Sequence, residues 1–217
     1  MSAMIKPKKF HEFTQKIICI GRNYRDHALE LSNPVPKEPL IFAKTSNALL
    51  LSGGEIKMPS GCSELHYEVE LGVVIGSPGS RIKKYSAFDY IGGYCIALDM
   101  TDRGMQDRLK KAGHPWFLAK SFDTSCPIGE FIDKSVIQNP HDIEIYCSVN
   151  RQIRQKEKTN AMMFDVPTLL EFVTSRVSVM PGDLILTGTP TGVGPCKSGD
   201  NIEIGITGIT KANFSVE

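Results

Sequence analysis

The chain has 217 residues, 41% of them hydrophobic and 23% charged, with a formal net charge of +1. That size and composition describe one large globular domain or two small ones with a real core, and they exclude a disordered chain. Near-neutral charge argues against a nucleic-acid or strongly acidic partner, and no apolar run approaches the roughly 18–20 residues of a membrane span.

Residues 1–14 are basic and read as a short solvated tail, followed by a single domain over 15–217; a mitochondrial import signal would be richer in Arg and Ser. IICIG (17–21) is a buried strand, RNYRDHALEL (22–31) a short helix stopped by Asn33-Pro34-Val35-Pro36, and LIFAK (40–44) a second strand. LHYEVELGVVIG (65–76) alternates as one pleated strand, with Leu65, Tyr67, Val69, Leu71, Val73 and Ile75 on its apolar face. YIGGYCIALDM (90–100) is a further strand with a kink or bulge at Gly92-Gly93. A helix is expected from about Thr101 to Lys111, ended by Gly113, with Thr101 or Asp99 as its cap, and then an extended piece over 116–121. A hairpin follows, with IEIYCSV (143–149) turning at Asn150-Arg151 into QIRQ. Asp165 and Pro167 open a helix to about Arg176, LILTGT (184–189) is a strand, and two last strands lie near 201–206 and 209–216. Many strands, three modest helices and no strict β–α alternation predict an α+β, strand-rich architecture. The six cysteines form no CxxC pair, and three sit in apolar runs. They read as reduced, mostly buried thiols of an intracellular protein, not as zinc ligands.

Glu68 and Glu70 stand two apart on an otherwise apolar strand, so their Cβ atoms share one face roughly 7 Å apart. Two buried carboxylates left alone repel and tend to hold a proton between them. A hard divalent cation removes the problem; exposure of that face would remove it too. Asp99, at the end of a buried strand, is a candidate third ligand or a helix cap. His27 and Glu30, at i,i+3 on a helix, can form a general base with its orienting carboxylate or a surface ion pair. Lys120 is a lysine in apolar surroundings, suited to face developing negative charge or to extend its head to water. Arg103 and Gln106 lie on the helix face that looks back toward Asp99. The TGTPTGVG loop (187–194) lacks the phosphate-binding pattern GxxxxGK[ST] and reads as a tight turn or a backbone approach to a small substrate.

Taken together, GRNYRDHALEL, HYEVELGVVIG, YIGGYCIALDMTDRGMQ, PWFLAKSFDTSCPIG and GDLILTGTPTGVG resemble the fumarylacetoacetate hydrolase family, and within it the acylpyruvase type. The resemblance implies a mixed β-sandwich roll and a homodimer. It implies Glu68, Glu70 and Asp99 as ligands of Mg²⁺, with Mn²⁺ as the alternative ion. It implies Lys120 as the active-site lysine, His27 and Glu30 as a water-activating pair, and Arg103, Gln106, Thr189 and Lys44 as substrate contacts. His66 falls where many relatives carry Asp, and it reads as a support for the ligands. The implied activity is hydrolysis of acylpyruvates to a carboxylate and pyruvate, with decarboxylation of oxaloacetate through the same pyruvate enolate. The alternative is an isomerase, tautomerase or hydratase of a related 2-oxo acid. Small 2-oxo acids are the expected partners, without nucleic acid or membrane. Mitochondria are the expected compartment, with the cytosol as a second one.

Overall fold

The computed structural model describes residues 8–30 and 34–217. The alternating stretch 65–76 is two strands, Leu65–Tyr67 and Val69–Ile75, parted at Glu68. The halves join different sheets. Val69–Ile75 lies antiparallel between Leu184–Leu186 and Ile91–Leu98, whereas Leu65–Tyr67 pairs with Gly194–Cys196 and Thr101–Asp102. Glu68 is free of the ladder, and its carbonyl accepts the Asp99 N–H at 2.8 Å. That bond fastens the two acidic segments to each other.

The central sheet has eight strands. Across it run 40–44, 17–21, 184–186, 69–75, 91–98, 126–128 and 49–51, with 132–133 also paired to 91–98. The pairings 17–21 with 184–186 and 49–51 with 126–128 are parallel and the others antiparallel, so the sheet is mixed. A five-stranded sheet (152–158, 144–149, 201–206, 210–216, 55–56) packs against it. Ile18, Ile20, Leu71, Val73 and Ile96 meet Ile145, Val149, Ile204 and Phe214 in one core. The opposite face of the central sheet buries Ile17, Cys19, Val74, Cys95, Leu184 and Leu186 under Phe10. Burial on both faces explains why these strands read as near-continuous apolar runs. Each fully buried aliphatic side chain contributes about 1.5–3 kcal/mol. The bulge expected at Gly92-Gly93 is present, because the register slips between Val74↔Gly93 and Ile75↔Ile91. A Cβ at Gly93 would meet the Ile132 carbonyl at 2.3 Å. All six cysteines are free, and only Cys62 is not buried.

Several expectations are corrected. Residues 10–14 are not a solvated tail: Phe10–Glu12 is a 3₁₀ turn, Phe10 is in the core, and Thr14 donates to Gly182 O at 2.9 Å. Residues 1–7 lie outside the described residues. The first helix begins at Arg25 and not at residue 22 and is described over Arg25–Glu30; Leu31 to Asn33 also lie outside the described residues. The second runs Arg103–Ala112 with Asp102 as its cap, accepting the Met105 N–H at 2.9 Å. Thr101 sits instead in a short strand and donates to Asp99 O. The piece expected to be extended holds a helical turn, Phe117–Lys120, in which the Ala119 and Lys120 N–H groups donate to Trp116 O. The strand after the hairpin turn extends over Gln152–Lys158. The turn itself has Asn150 and Arg151 at φ 51° and 66°, as a two-residue hairpin of type I′ requires. The strand at 184 ends at Leu186 because Thr187–Thr189 turn toward the acidic cluster.

Candidate active site

Glu68 at the strand break, Glu70 on the central strand and Asp99 just past Leu98 are all buried. Each offers a carboxylate oxygen, and these oxygens lie within 4.8 Å of one another. Lys120, at the end of its short helix, places Nζ 2.9 Å from Glu68 Oε2 and 2.5 Å from Asp99 Oδ2. The Arg103 guanidinium donates to the Glu68 carboxylate and, at 2.6 Å, to Gln106 Oε1. Its Nε–H points to His66 Nδ1 at 3.3 Å, while His66 Nε2 lies 2.8 Å from Glu64. With Nδ1 accepting, the His66 proton sits on Nε2, so His66 props Arg103, which in turn props Glu68. Lys44 is fully buried behind the cluster, 2.9 Å from Asp99 Oδ1 and bonded to the Met100 and Lys120 carbonyls. It braces Asp99 and does not line the cavity, a different place from the substrate contact expected of it.

The acids differ in what balances them. Burial raises the Glu68 carboxyl, but Lys120 and then Arg103 outweigh it and hold it well below the usual range. Glu70 moves the other way: burial and the Asp99 charge push it well above that range. Glu70 has one hydrogen bond, from Gly188 N–H at 2.6 Å, and no ion pair among the described residues. Asp99 Oδ1 accepts no hydrogen bond among the described residues and lies 2.9 Å from the Lys44 ammonium as an ion pair. Three hard oxygen donors and one under-neutralised acid fit a hard divalent cation better than zinc, which favours nitrogen and sulfur.

His27 is buried and faces the same cavity. Its Nδ1 lies 3.2 Å from Glu30 Oε2, and the other Glu30 oxygen accepts the Gly192 N–H at 2.9 Å. The pair expected from i,i+3 spacing is therefore formed, and Glu30 also ties the helix to the glycine-rich loop. Thr189 lines the cavity, with its hydroxyl oxygen accepting from Gln155 Nε2 at 2.8 Å. Arg103 and Gln106 line it as well. Side chains fill most of this space and leave about 30 Å³, room for about one water.

Sequence reasoning missed Gln155, Asn23, Arg22, Lys110, Phe42 and Trp116. Gln155 is buried and bridges Val69 N–H to Thr189 and Pro190. The Asn23 side chain makes three hydrogen bonds, to Thr187 O and to the Phe164 backbone. The other four line the cavity. Asn23 and Gln155 lie in polar stretches, GRNYRD and QIRQKEK, that carry no signal of their burial; the lining residues come from separate segments that only the fold brings together.

The model of the fumarylacetoacetate hydrolase C-terminal family matches residues 16–217. The chain is 54% identical over 208 residues to the mitochondrial oxaloacetate tautomerase fahd-1 of Caenorhabditis elegans, covering 96% of this chain and 97% of that protein. It is 50% identical over 210 residues to a mitochondrial oxaloacetate decarboxylase of Dictyostelium discoideum, covering 96% of each. The crystal structure of fumarylpyruvate hydrolase from Pseudomonas aeruginosa, in complex with Mn²⁺ and pyruvate, superposes with a TM-score of 0.89 at 33% identity. That match covers 94% of this chain and 89% of the other. The fold, the motif order and these matches agree: the chain belongs to the fumarylacetoacetate hydrolase C-terminal family.

Proposed function

We propose that the protein is a divalent-cation-dependent enzyme that forms and stabilises the enol or enolate of short 2-oxo acids. Oxaloacetate is the foremost substrate, undergoing tautomerisation and loss of its C4 carboxylate. The observation that carries this reading is the convergence of Glu68, Glu70, Asp99, Lys120 and His27 on one small cavity. A Mg²⁺ or Mn²⁺ ion held by the three acids supplies a Lewis acid for the 2-oxo carboxylate end of the substrate.

The chain's own groups do the rest. The Lys120 ammonium is fixed by two buried carboxylates and donates to the C2 oxygen as charge develops there; such a donor typically contributes about 2.7–4 kcal/mol. His27 holds its proton on Nδ1 toward Glu30, which leaves Nε2 to accept a proton. In tautomerisation that proton leaves C3, and the enol oxygen gains one. In decarboxylation the C3–C4 bond breaks, its electron pair enters the enolate, and C3 is protonated after CO₂ departs. Thr189 accepts from Gln155 and keeps its own proton to offer to the substrate.

The relatives named for tautomerisation and decarboxylation of oxaloacetate support this order of activities. The neighbour solved with Mn²⁺ and pyruvate supports the ion class and the pyruvoyl fragment. A second reading, hydrolysis of acylpyruvates, is favoured by the His27–Glu30 pair, which is built to take a proton from water before C–C cleavage. The proposal includes a homodimer, read by light scattering, and a mitochondrial location with the cytosol as a second compartment, read by fractionation. Its test is an assay of the purified protein with Mg²⁺ on oxaloacetate and acetylpyruvate, with an EDTA control. Metal-dependent turnover of oxaloacetate is expected; inertness toward both acids would overturn the reading.

A further inference from the structure

Lys120, Lys44 and Arg103 are all committed to Glu68 or Asp99. Two other cations at the cavity are not. Lys110 lies over the Trp116 ring at 5.4 Å, and among the described residues its one ion pair is with the exposed Asp107 at 3.7 Å. Arg22 lines the cavity and has no hydrogen bond or ion pair from its side chain among the described residues.

Arg22 also adopts φ +58°, a left-handed conformation that is costly for a residue with a side chain. The surroundings enforce it. Asn23, the next residue, is pinned by three hydrogen bonds, and Gly188 packs so closely that an added Cβ would meet Asn23 Cβ at 2.6 Å. Gly188 is also the residue whose N–H holds Glu70. One turn therefore sets both a carboxylate of the acidic cluster and the Arg22 guanidinium beside it, and strain held in place by its neighbours points to a function. Burial keeps both the Arg22 and Lys110 cations below their ordinary pKa values, with the Arg103 charge adding to the effect on Lys110.

We infer that Arg22, assisted by Lys110, binds the distal carboxylate of a dicarboxylic 2-oxo acid and so selects dianionic over monoanionic substrates. A guanidinium matches a carboxylate with two parallel hydrogen bonds. The inference rests on the functional reading above, in which the 2-oxo end of the substrate faces the acidic cluster.

The test compares oxaloacetate with 2-oxobutyrate, which carries a methyl group in place of the distal carboxylate. Arg22→Gly removes the guanidinium and suits the positive φ; Lys110→Gln is the second variant, and melting curves show that each is folded. The KM for oxaloacetate is expected to rise about tenfold or more in Arg22→Gly, the loss of one charge-assisted contact, and less in Lys110→Gln. The Ki of 2-oxobutyrate as a competitive inhibitor is expected to stay within about twofold, and added guanidinium ion should partly restore the oxaloacetate KM. Equal changes for both ligands, or none for either, would overturn the role of Arg22 alone. A wild-type protein inert to oxaloacetate and indifferent to 2-oxobutyrate would overturn the functional reading and this inference with it.

Discussion

Lys120 Nζ lies 2.5 Å from Asp99 Oδ2, both groups being almost fully removed from solvent. The same ammonium contacts Glu68 at 2.9 Å, and Asp99 and Glu68 together raise its pKa against the lowering effect of burial. A cation is thus already built into the acidic cluster, and a divalent ion held there would share its two carboxylates.

That sharing predicts a linkage between Lys120 and the metal. Removing one partner of a buried ion pair costs about 3–5 kcal/mol, so Lys120→Met should lower the melting temperature strongly in EDTA. Mg²⁺ or Mn²⁺ should restore more stability to the variant than it adds to the wild type. Thermal unfolding with and without metal measures this. Equal metal-induced shifts in the two proteins would show that Lys120 and the ion do not share ligands. Turnover by the metal-loaded variant should fall by about 10²–10³.

His27→Ala removes the group assigned to proton abstraction and should lower tautomerisation and acylpyruvate hydrolysis by about 10²–10⁴. Decarboxylation should lose less, because C3–C4 cleavage requires no proton to leave C3. Parallel rate assays on one preparation decide it, and an equal loss of all three activities would refute the division.

Gly188→Ala introduces a Cβ at φ +101° and within 2.6 Å of Asn23 Cβ. Destabilisation above about 1 kcal/mol is expected, with weaker metal binding because the Gly188 N–H orients Glu70. Denaturant titration and calorimetry of Mn²⁺ binding read the two effects separately. Unchanged metal affinity in a destabilised variant would detach the loop from the acidic cluster.

The acids predict a pH signature with opposite signs. Burial and Asp99 raise Glu70 in the folded protein, so its contribution to stability is complete below the ordinary glutamate range and is lost as pH rises through the raised value. Glu68 is depressed by Lys120 and Arg103 against burial. Its contribution is present above the ordinary range and lost as pH falls through the depressed value. Metal binding requires both acids ionised, so a proton held by Glu70 is released as the ion binds, and the affinity weakens as pH falls. Calorimetry in buffers of different ionisation enthalpy counts that proton. An affinity independent of pH would contradict the assignment of Glu70.

Much of this was legible in the residues. Apolar runs located the central strands, alternation marked the stretch 65–76, and two carboxylates on it marked the acidic cluster. His27 and Glu30 were brought together by helical spacing alone. What the alternation could not show is that the strand breaks at Glu68, because the pattern continues across the break while the partner strands change. The helical turn at Phe117–Lys120 was hidden because four residues carry no 3.6-residue period. Lys44 looked like a pocket residue, yet the pairing of its strand with Ile17–Gly21 sets it behind Asp99. Arg22 escaped notice because its significance lies in a backbone angle and a missing partner, which no residue pattern records.

The central claim is that the acidic cluster and Lys120 stabilise an enolate of a 2-oxo acid. Hydrogen–deuterium exchange at C3 of oxaloacetate and pyruvate, followed by proton NMR in D₂O, tests it most directly. The wild-type protein with Mg²⁺ should accelerate exchange well above the metal-only background, and EDTA or Glu70→Gln should return it to background. Exchange no faster than with metal alone, in a protein shown by calorimetry to hold the ion, would contradict the account.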